Sequence, residues 1–297
     1  MIIFIDIIKI IYNKLEVYPL NPYLNTFIYV YETRSFSLAA QELFVTQPAV
    51  SIKIQQLERQ VGQPLFVRTN HRTITPTSAG NLLYEKSLEI RKIWNETQDK
   101  LNHIANPQRH LLRIGFSQTT SQIFASRFID QIQTVLPLID WQVIVGNSNY
   151  IAEQLSHKCL DIGLIEKPIS INPIVIKRKK IGIDQLVRIG EKTGTWLQRE
   201  SGSGVGHYTT QFFQEYAVIP KKVIQVNRNG LIMKLVNQGV GETIMSQRVI
   251  PRELAYSPLS AHFQRNLYSL ITSDLEVNIA NTVNHLLFKI NASWHNA

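Results

Sequence analysis

Apolar residues return at helical spacing three times between Asn21 and Val61. Leu24, Phe27, Ile28 and Tyr31 stand at i, i+3, i+4 and i+7, the stripe of one buried helical face. Ser37 is a fair N-cap for a second helix over residues 38–44, where Ala39 and Ala40 let a neighbour approach closely. Val45 breaks the pattern. Thr46 then caps a third helix with Pro48 in its first turn, where a missing N–H costs nothing. Val50, Ile54, Leu57 and Val61 form its core stripe. Residues 65–69 and 73–75 read as strands around Asn70-His71-Arg72, a hairpin tip. Thr75 with Pro76 repeats the cap-then-proline start, and no proline follows until Pro107. Leu83, Ile90, Thr97 and Ile104 recur every seven residues, with Ser87, Trp94 and Leu101 four after the first three. This predicts a long helix with a heptad seam, weakened at Ser87 and Thr97. A helix packed on its own domain is the other reading. Asn106-Pro107-Gln108 reads as a hinge.

Beyond residue 110 the period changes. Leu112, Ile114 and Phe116 alternate as a strand, and Phe124, Phe128, Ile132 and Val135 follow at helical spacing. Residues 141–145 read as a second strand, 150–155 as a short helix and 160–165 as a third strand. Such alternation predicts a parallel sheet with short crossovers, whose ligands bind beyond the carboxyl ends of the strands. Ser117, Gln118, Thr119 and Thr120 lie at such an end and open a helix. Hydroxyls, N–H groups and the dipole there suit an anion; a plain capping cluster fits equally well.

The chain has 297 residues, enough for two or three compact units. Lysine and arginine exceed aspartate and glutamate by 31 to 22, which favours a polyanionic partner. One cysteine, Cys159, excludes an internal disulfide framework or a cysteine-cluster metal site. No apolar run is long enough to span a bilayer, so the expected compartment is the cytoplasm. Residues 1–20 stand apart. They are Ile-rich but broken by Asp6 and Lys9, and lack both a basic start and a small-residue cleavage site. They read as an extension of translated upstream sequence in preference to a membrane anchor.

The outer face of the third helix carries the chemistry. Pro48, Ile52, Gln55, Gln56 and Arg59 point away from the core stripe, and Gln47 and Ser51 flank it. No acid lies on that face, because Glu58 sits beside the stripe. Glutamine can pair with adenine in a major groove, serine and free N–H groups can hold phosphates, and Ile52 can meet a thymine methyl. Arg68, His71 and Arg72 gather on the hairpin, where basic side chains suit phosphates or a narrow minor groove. A three-helix packing unit with a solvated face is the competing reading of the helices alone.

Four segments then carry a resemblance. Residues 33–40 (TRSFSLAA), 45–51 (VTQPAVS), 57–68 (LERQVGQPLFVR) and 75–80 (TPTSAG) resemble the LysR-type transcriptional regulators without a gap. The resemblance implies a winged helix-turn-helix over residues 21–77 whose third helix enters the major groove. It implies base or phosphate contacts from Gln47, Pro48 and Ser51 and backbone contacts from Arg68 and Arg72. Ser37, Thr46, Lys53, Gln55, Arg59 and His71 join the expected DNA-binding set. One departure is Ile52, where many members carry a basic residue; Lys53 or Arg59 is left to take that phosphate. Residues 112–115, 160–165, 196–204 and 235–241 resemble the effector-binding part of the same family, and through it two-domain periplasmic binding proteins. The fold class implied is α/β: the winged helix-turn-helix, a linker and dimerisation helix over 78–106, and an effector region over 107–297. Its two subdomains would be roughly 111–168 plus 247–297, and 169–246. The effector would sit between walls carrying Ser117, Gln118, Thr119 and Thr120 on one side and Ser201 and Ser203 on the other. Residues 190–196 are shorter than is usual, which crops one wall. Leu83, Ile90, Trp94 and Leu101 would join two copies. The implied partners are double-stranded DNA with dyad-related half-sites, a small-molecule effector, apolar or anionic, a second copy in a homodimer or homotetramer, and RNA polymerase.

The rivals are weaker. Residues 202–206 (GSGVG) place His207 where a dinucleotide fingerprint needs glycine, and no G-x-S-x-G elbow surrounds Ser203. His157 and Cys159 have no further ligands nearby, so a surface histidine and a buried thiol are expected. Lys177-Arg178-Lys179-Lys180 reads as a solvated run. No cofactor and no catalytic constellation are called for. A solute-binding protein would have no use for the hairpin or the third helix.

Overall fold

The computed structural model describes residues 21–43, 45–69, 73–105 and 110–294. Residues 1–20, the hairpin tip at 70–72 and the hinge at 106–108 fall outside the described residues, and so do the expectations placed on them. The chain divides into two compact units, Met1–Gln98 and Asp99–Ala297.

In the first unit, three helices, α1 (Pro22–Thr33), α2 (Phe36–Glu42) and α3 (Gln47–Val61), precede a two-stranded antiparallel hairpin, β1 (Phe66–Thr69) and β2 (Thr73–Pro76). The helices meet on Phe27, Ile28, Val30, Ala39, Ala40, Val50, Ile54 and Leu57, with Leu65, Phe66 and Leu88 closing the cluster. Each large side chain so buried contributes about 1.5–3 kcal/mol relative to exposure. Three expectations change. The N-cap of α2 is Ser35, whose hydroxyl accepts from the Leu38 N–H at 3.2 Å. Arg34 in the left-handed conformation (φ 53°) turns the chain two residues earlier than expected, and Ser37 lies exposed inside the helix. Val61 is 41% exposed, because the last turn of α3 runs past the core. The long helix α4 (Ser78–Ala105) starts after Thr77, which accepts from the Gly80 N–H at 3.0 Å, while Pro76 is still paired with Phe66 in the hairpin. Leu83 and Leu88 pack into the head and Ser87 is buried there, so that stretch of the expected seam belongs to this unit's core. Leu82, Ile90, Ile93 and Leu101 remain exposed, and Trp94 is half-buried.

In the second unit, β3 (His110–Ser117) leads through a short turn (Gln118–Thr120) and a π-helical stretch (Ser121–Ala125) into α5 (Ser126–Val135). Then come β4 (Ile139–Gly146), α6 (Ser148–Ser156), β5 (Ile162–Ile165), β6 (Ile176–Gly190), β7 (Thr195–Gln198), α7 (Gly204–Glu215), β8 (Lys222–Gln225), α8 (Asn229–Asn237), β9 (Glu242–Ser246), β10 (Tyr256–Pro258), β11 (Gln264–Thr272) and α9 (Val277–Trp294). The strand order is β4-β3-β5-β11-β6-β9-β7-β8, with β10 beside β6. β3 runs parallel to β4 and β5, as the alternation predicts, but β11 returns antiparallel to both β5 and β6. The sheet is therefore mixed.

α6 lies close on its strands because Gly115 and Gly163 carry no Cβ; one at Gly115 would stand 2.8 Å from Ile151 and one at Gly163 2.5 Å from Leu155. Phe116, Phe128, Ile132 and Leu287 fill the opposite face. Val135, the last residue of α5, is exposed. The subdomain boundaries move. Residues 176–185 of β6 still pair with β11 in the first sheet, residues 186–190 pair with β9, and Phe263 packs with Trp196 in the second half. The crossings therefore lie near residues 185 and 264 instead of 169 and 247, because one long strand serves both halves. Among the described residues no helix is long and apolar enough to cross a membrane.

Candidate nucleic-acid interface and ligand cleft

Thr46 begins α3 in extended geometry and accepts from the Ala49 N–H at 3.4 Å, with proline in the first turn. Burial of Val50, Ile54 and Leu57 fixes the helix's rotation. Gln47, Pro48, Ile52, Gln55 and Arg59 are exposed; Ser51, Lys53 and Gln56 are half-buried. The Gln47 amide donates to Ser51 Oγ at 3.1 Å, and Arg59 Nε donates to the Gln55 carbonyl at 3.4 Å. These are local contacts on an open surface. Glu58 is drawn elsewhere: its carboxylate accepts from the N–H groups of Leu65 at 2.8 Å and Phe66 at 3.4 Å. It thereby pins the hairpin to α3 and leaves the outer face free of negative charge. Sequence reasoning placed Glu58 beside the stripe but missed this tether. Arg68 lies in β1, and His71 and Arg72 lie outside the described residues.

The second unit holds a different kind of site. Ser117 ends β3 and caps the following turn, accepting from the Thr120 N–H at 3.1 Å. Ser117, Thr119 and Thr120 are all buried. Thr120 Oγ1 donates to the Leu164 carbonyl at 2.9 Å. Ser117 Oγ donates to the carboxylate of Glu166, which follows β5 and also accepts from Ser148 Oγ at 3.3 Å. Arg265 on β11 donates through Nε to Asp184 on β6 at 2.8 Å and through Nη2 to Thr119 Oγ1 at 3.4 Å. Asp184 also accepts from Ser246 Oγ at 2.5 Å. Arg265 Nη1 lies 3.7 Å from Glu166 and has no hydrogen-bond acceptor among the described residues. Burial pushes the nearby Tyr208 hydroxyl above its ordinary pKa, against the pull of Arg265.

The two halves touch directly. Gln118 donates to the Asn227 carbonyl at 2.8 Å and accepts from the Asn229 N–H at 2.8 Å. Asn229 donates to Gln122 at 3.1 Å. Lys167 donates to the Ser201 carbonyl at 3.1 Å, and burial lowers its pKa. Ser203 is buried and caps α7 through the Gly206 N–H at 3.4 Å; Ser201 is exposed. A cavity of about 680 Å³ opens elsewhere, beside Gly182, Gln185, Arg248, Phe288 and Asn291, and none of the expected effector residues lines it.

The head and its hairpin, residues 23–81, match the family model described as the bacterial regulatory helix-turn-helix protein, lysR family. The chain resembles the LysR family. The regulator CysL of Bacillus subtilis (strain 168) is 26% identical over 80% of this chain and 84% of its own. The activator CmpR of Synechocystis sp. is 29% identical over 79% of this chain and 81% of its own. The crystal structure of full-length BenM shares the fold, with a TM-score of 0.54 at 21% identity over 91% of this chain and 96% of that one.

The matched head and the relatives are those of DNA-binding transcriptional regulators, and the α/β unit shares the fold of full-length BenM. LysR regulators bind DNA and small-molecule effectors and form oligomers. Of the expected DNA-binding side chains of α3, Gln47, Pro48, Gln55 and Arg59 are exposed, and Ser51 and Lys53 are half-buried. The expected effector residues share no open surface: Ser117, Thr119, Thr120 and Ser203 are sealed, Gln118 bridges the halves, and only Ser201 is open. Glu166, Asp184 and Arg265 were missed. The available signal was an acid directly after the apolar strand at 162–165, at the carboxyl end where ligands bind.

Proposed function

We propose that this regulator reads a dyad-related operator with the exposed face of α3 and steadies itself on flanking phosphates with the hairpin. Gln47, Pro48 and Ser51 face the bases or phosphates, and Lys53, Gln55 and Arg59 follow along the groove. Thr46 and Ser37, with Arg68, His71 and Arg72 on the hairpin, contact the backbone. The observation that carries this reading is the acid-free outer surface of α3, from which Glu58 has been withdrawn. Apolar residues left open on α4, Ile90 and Leu101 among them, join two copies together with Trp94. A dimer sets its two α3 helices about one DNA turn, roughly 34 Å, apart. The homodimer or a homotetramer acts in the cytoplasm. An effector of anionic character binds between the halves near Ser117–Thr120 and Ser201–Ser203. It shifts the placement of the dimers and so the access of RNA polymerase. A ligand biases such an equilibrium only through unequal affinity for the two states.

Gel-shift with the DNA upstream of the protein's own gene tests the reading. Binding should weaken steeply with salt. The Ser51→Ala/Arg68→Ala double variant should lose operator affinity about 10- to 100-fold with unchanged circular dichroism. Unchanged affinity would remove α3 and the hairpin from the interface.

A further inference from the structure

The anion expected beside residues 117–120 is already in place, and it belongs to the protein. Glu166 is 2% exposed, and its carboxylate gathers hydroxyls from two separate strand ends, Ser117 after β3 and Ser148 after β4. The opposite wall is shaped around it: a Cβ on Gly204, the first residue of α7, would stand 2.7 Å from Glu166 Cγ. Arg265 does not require this carboxylate for its own pairing. Asp184 takes its Nε, Thr119 takes its Nη2, and Nη1 is turned toward Glu166 at 3.7 Å without a hydrogen bond. A sealed carboxylate held by two hydroxyls and one unsatisfied guanidinium nitrogen is incompletely compensated for its lost hydration. Such a group is exchangeable for a better-fitting anion.

We propose that Glu166 is a built-in substitute for the effector's acid group. It occupies the anion position in the effector-free cleft, and an anionic effector binds by displacing it from Ser117 and Ser148. This rests on the placement of the effector in this cleft proposed above. Two like charges cannot share the same hydroxyls, so ligand and side chain compete. The competition sets a threshold: common small anions fail to enter, and only an effector with further contacts to both walls succeeds.

The test is thermal unfolding of the full-length protein titrated with sodium sulfate or sodium acetate against sodium chloride at equal ionic strength. Wild type should show no specific shift. Glu166→Ala should gain about 3–5 °C at a sulfate concentration about ten times its Kd. Adding Ser117→Ala to Glu166→Ala should abolish that gain. Equal shifts in wild type and Glu166→Ala, or no shift in the variant, would overturn the proposal. If Glu166→Ala folds poorly, recovery of its folding by sulfate supports the exchange, and failure of sulfate to rescue either it or Glu166→Ser overturns it. Gel-shift on the same preparations separates the two ideas. Wild type that ignores DNA counts against the operator reading, while the anion result stands on its own.

Discussion

On the outer face of α3 Gln47 and Arg59 bond only their own helix, whereas in the cleft Ser117, Glu166, Asp184 and Arg265 are buried and bonded to distant parts of the chain. The head presents a surface whose hydrogen-bonding capacity is still open to a partner. The cleft is closed on itself through Gln118, Asn229 and Lys167. A DNA-reading surface can stay solvated at little cost, because water satisfies it until the groove replaces water. A cleft that encloses a ligand excludes water, so in the absence of a ligand its polar groups must satisfy one another.

Removing one polar partner should therefore be severe in the cleft and mild on the head. The largest effect is expected from Asp184→Ala, which strands the fully buried Arg265. It should cost about 3–5 kcal/mol in urea denaturation followed by tryptophan fluorescence. A loss as small as that of a surface substitution would erase the contrast. Gln118→Ala removes two bonds between the halves and should cost about 1 kcal/mol. It should also speed proteolysis near residues 201–204; an unchanged cleavage rate would mean that Gln118 does not hold the halves together. On the head, Ser35→Ala should cost about 1 kcal/mol through the lost cap, and Ser37→Ala almost nothing. Equal losses would return the cap to Ser37.

The smallest effect concerns Asp274. Burial alone would raise its carboxyl pKa, but hydrogen bonds from Lys158, Thr272 and its own backbone hold it below the ordinary 3.8. A depressed folded pKa gives stability that is present above the unfolded value and lost as pH falls through the folded one. Both partners are well exposed, so Asp274→Asn should cost only a few tenths of a kcal/mol at neutral pH. The difference from wild type should vanish in acid; a difference that persists there would assign the effect to packing.

The head was legible because its determinants are local. Val50, Ile54 and Leu57 mark one face within a few turns, and Thr46 with Pro48 marks the start. The errors there are local too. Ser35 and Ser37 both stand at plausible capping distance from the helix, and only the left-handed turn at Arg34 chooses between them. The cleft was legible only in part. Residues 117–120 announce a cap and an anion site, but the carboxylate that fills it comes from 49 residues further on. Arg265 and Asp184 are 81 residues apart. No periodicity links Arg265 to Asp184; the antiparallel return of β11 does, and nothing in the β-α alternation foretells it.

That return makes β6 the common spine of both halves. Fifteen residues long, it pairs with β11 along its first ten positions and with β9 along its last five, and Ile181 is left unmatched where the ladder slips beside Leu267 and Tyr268. Any rotation of one half against the other would therefore have to deform β6 as well as the crossing near residue 264. A strand hydrogen-bonded on its edges along its full length resists such deformation, so the two halves share one stiff backbone element.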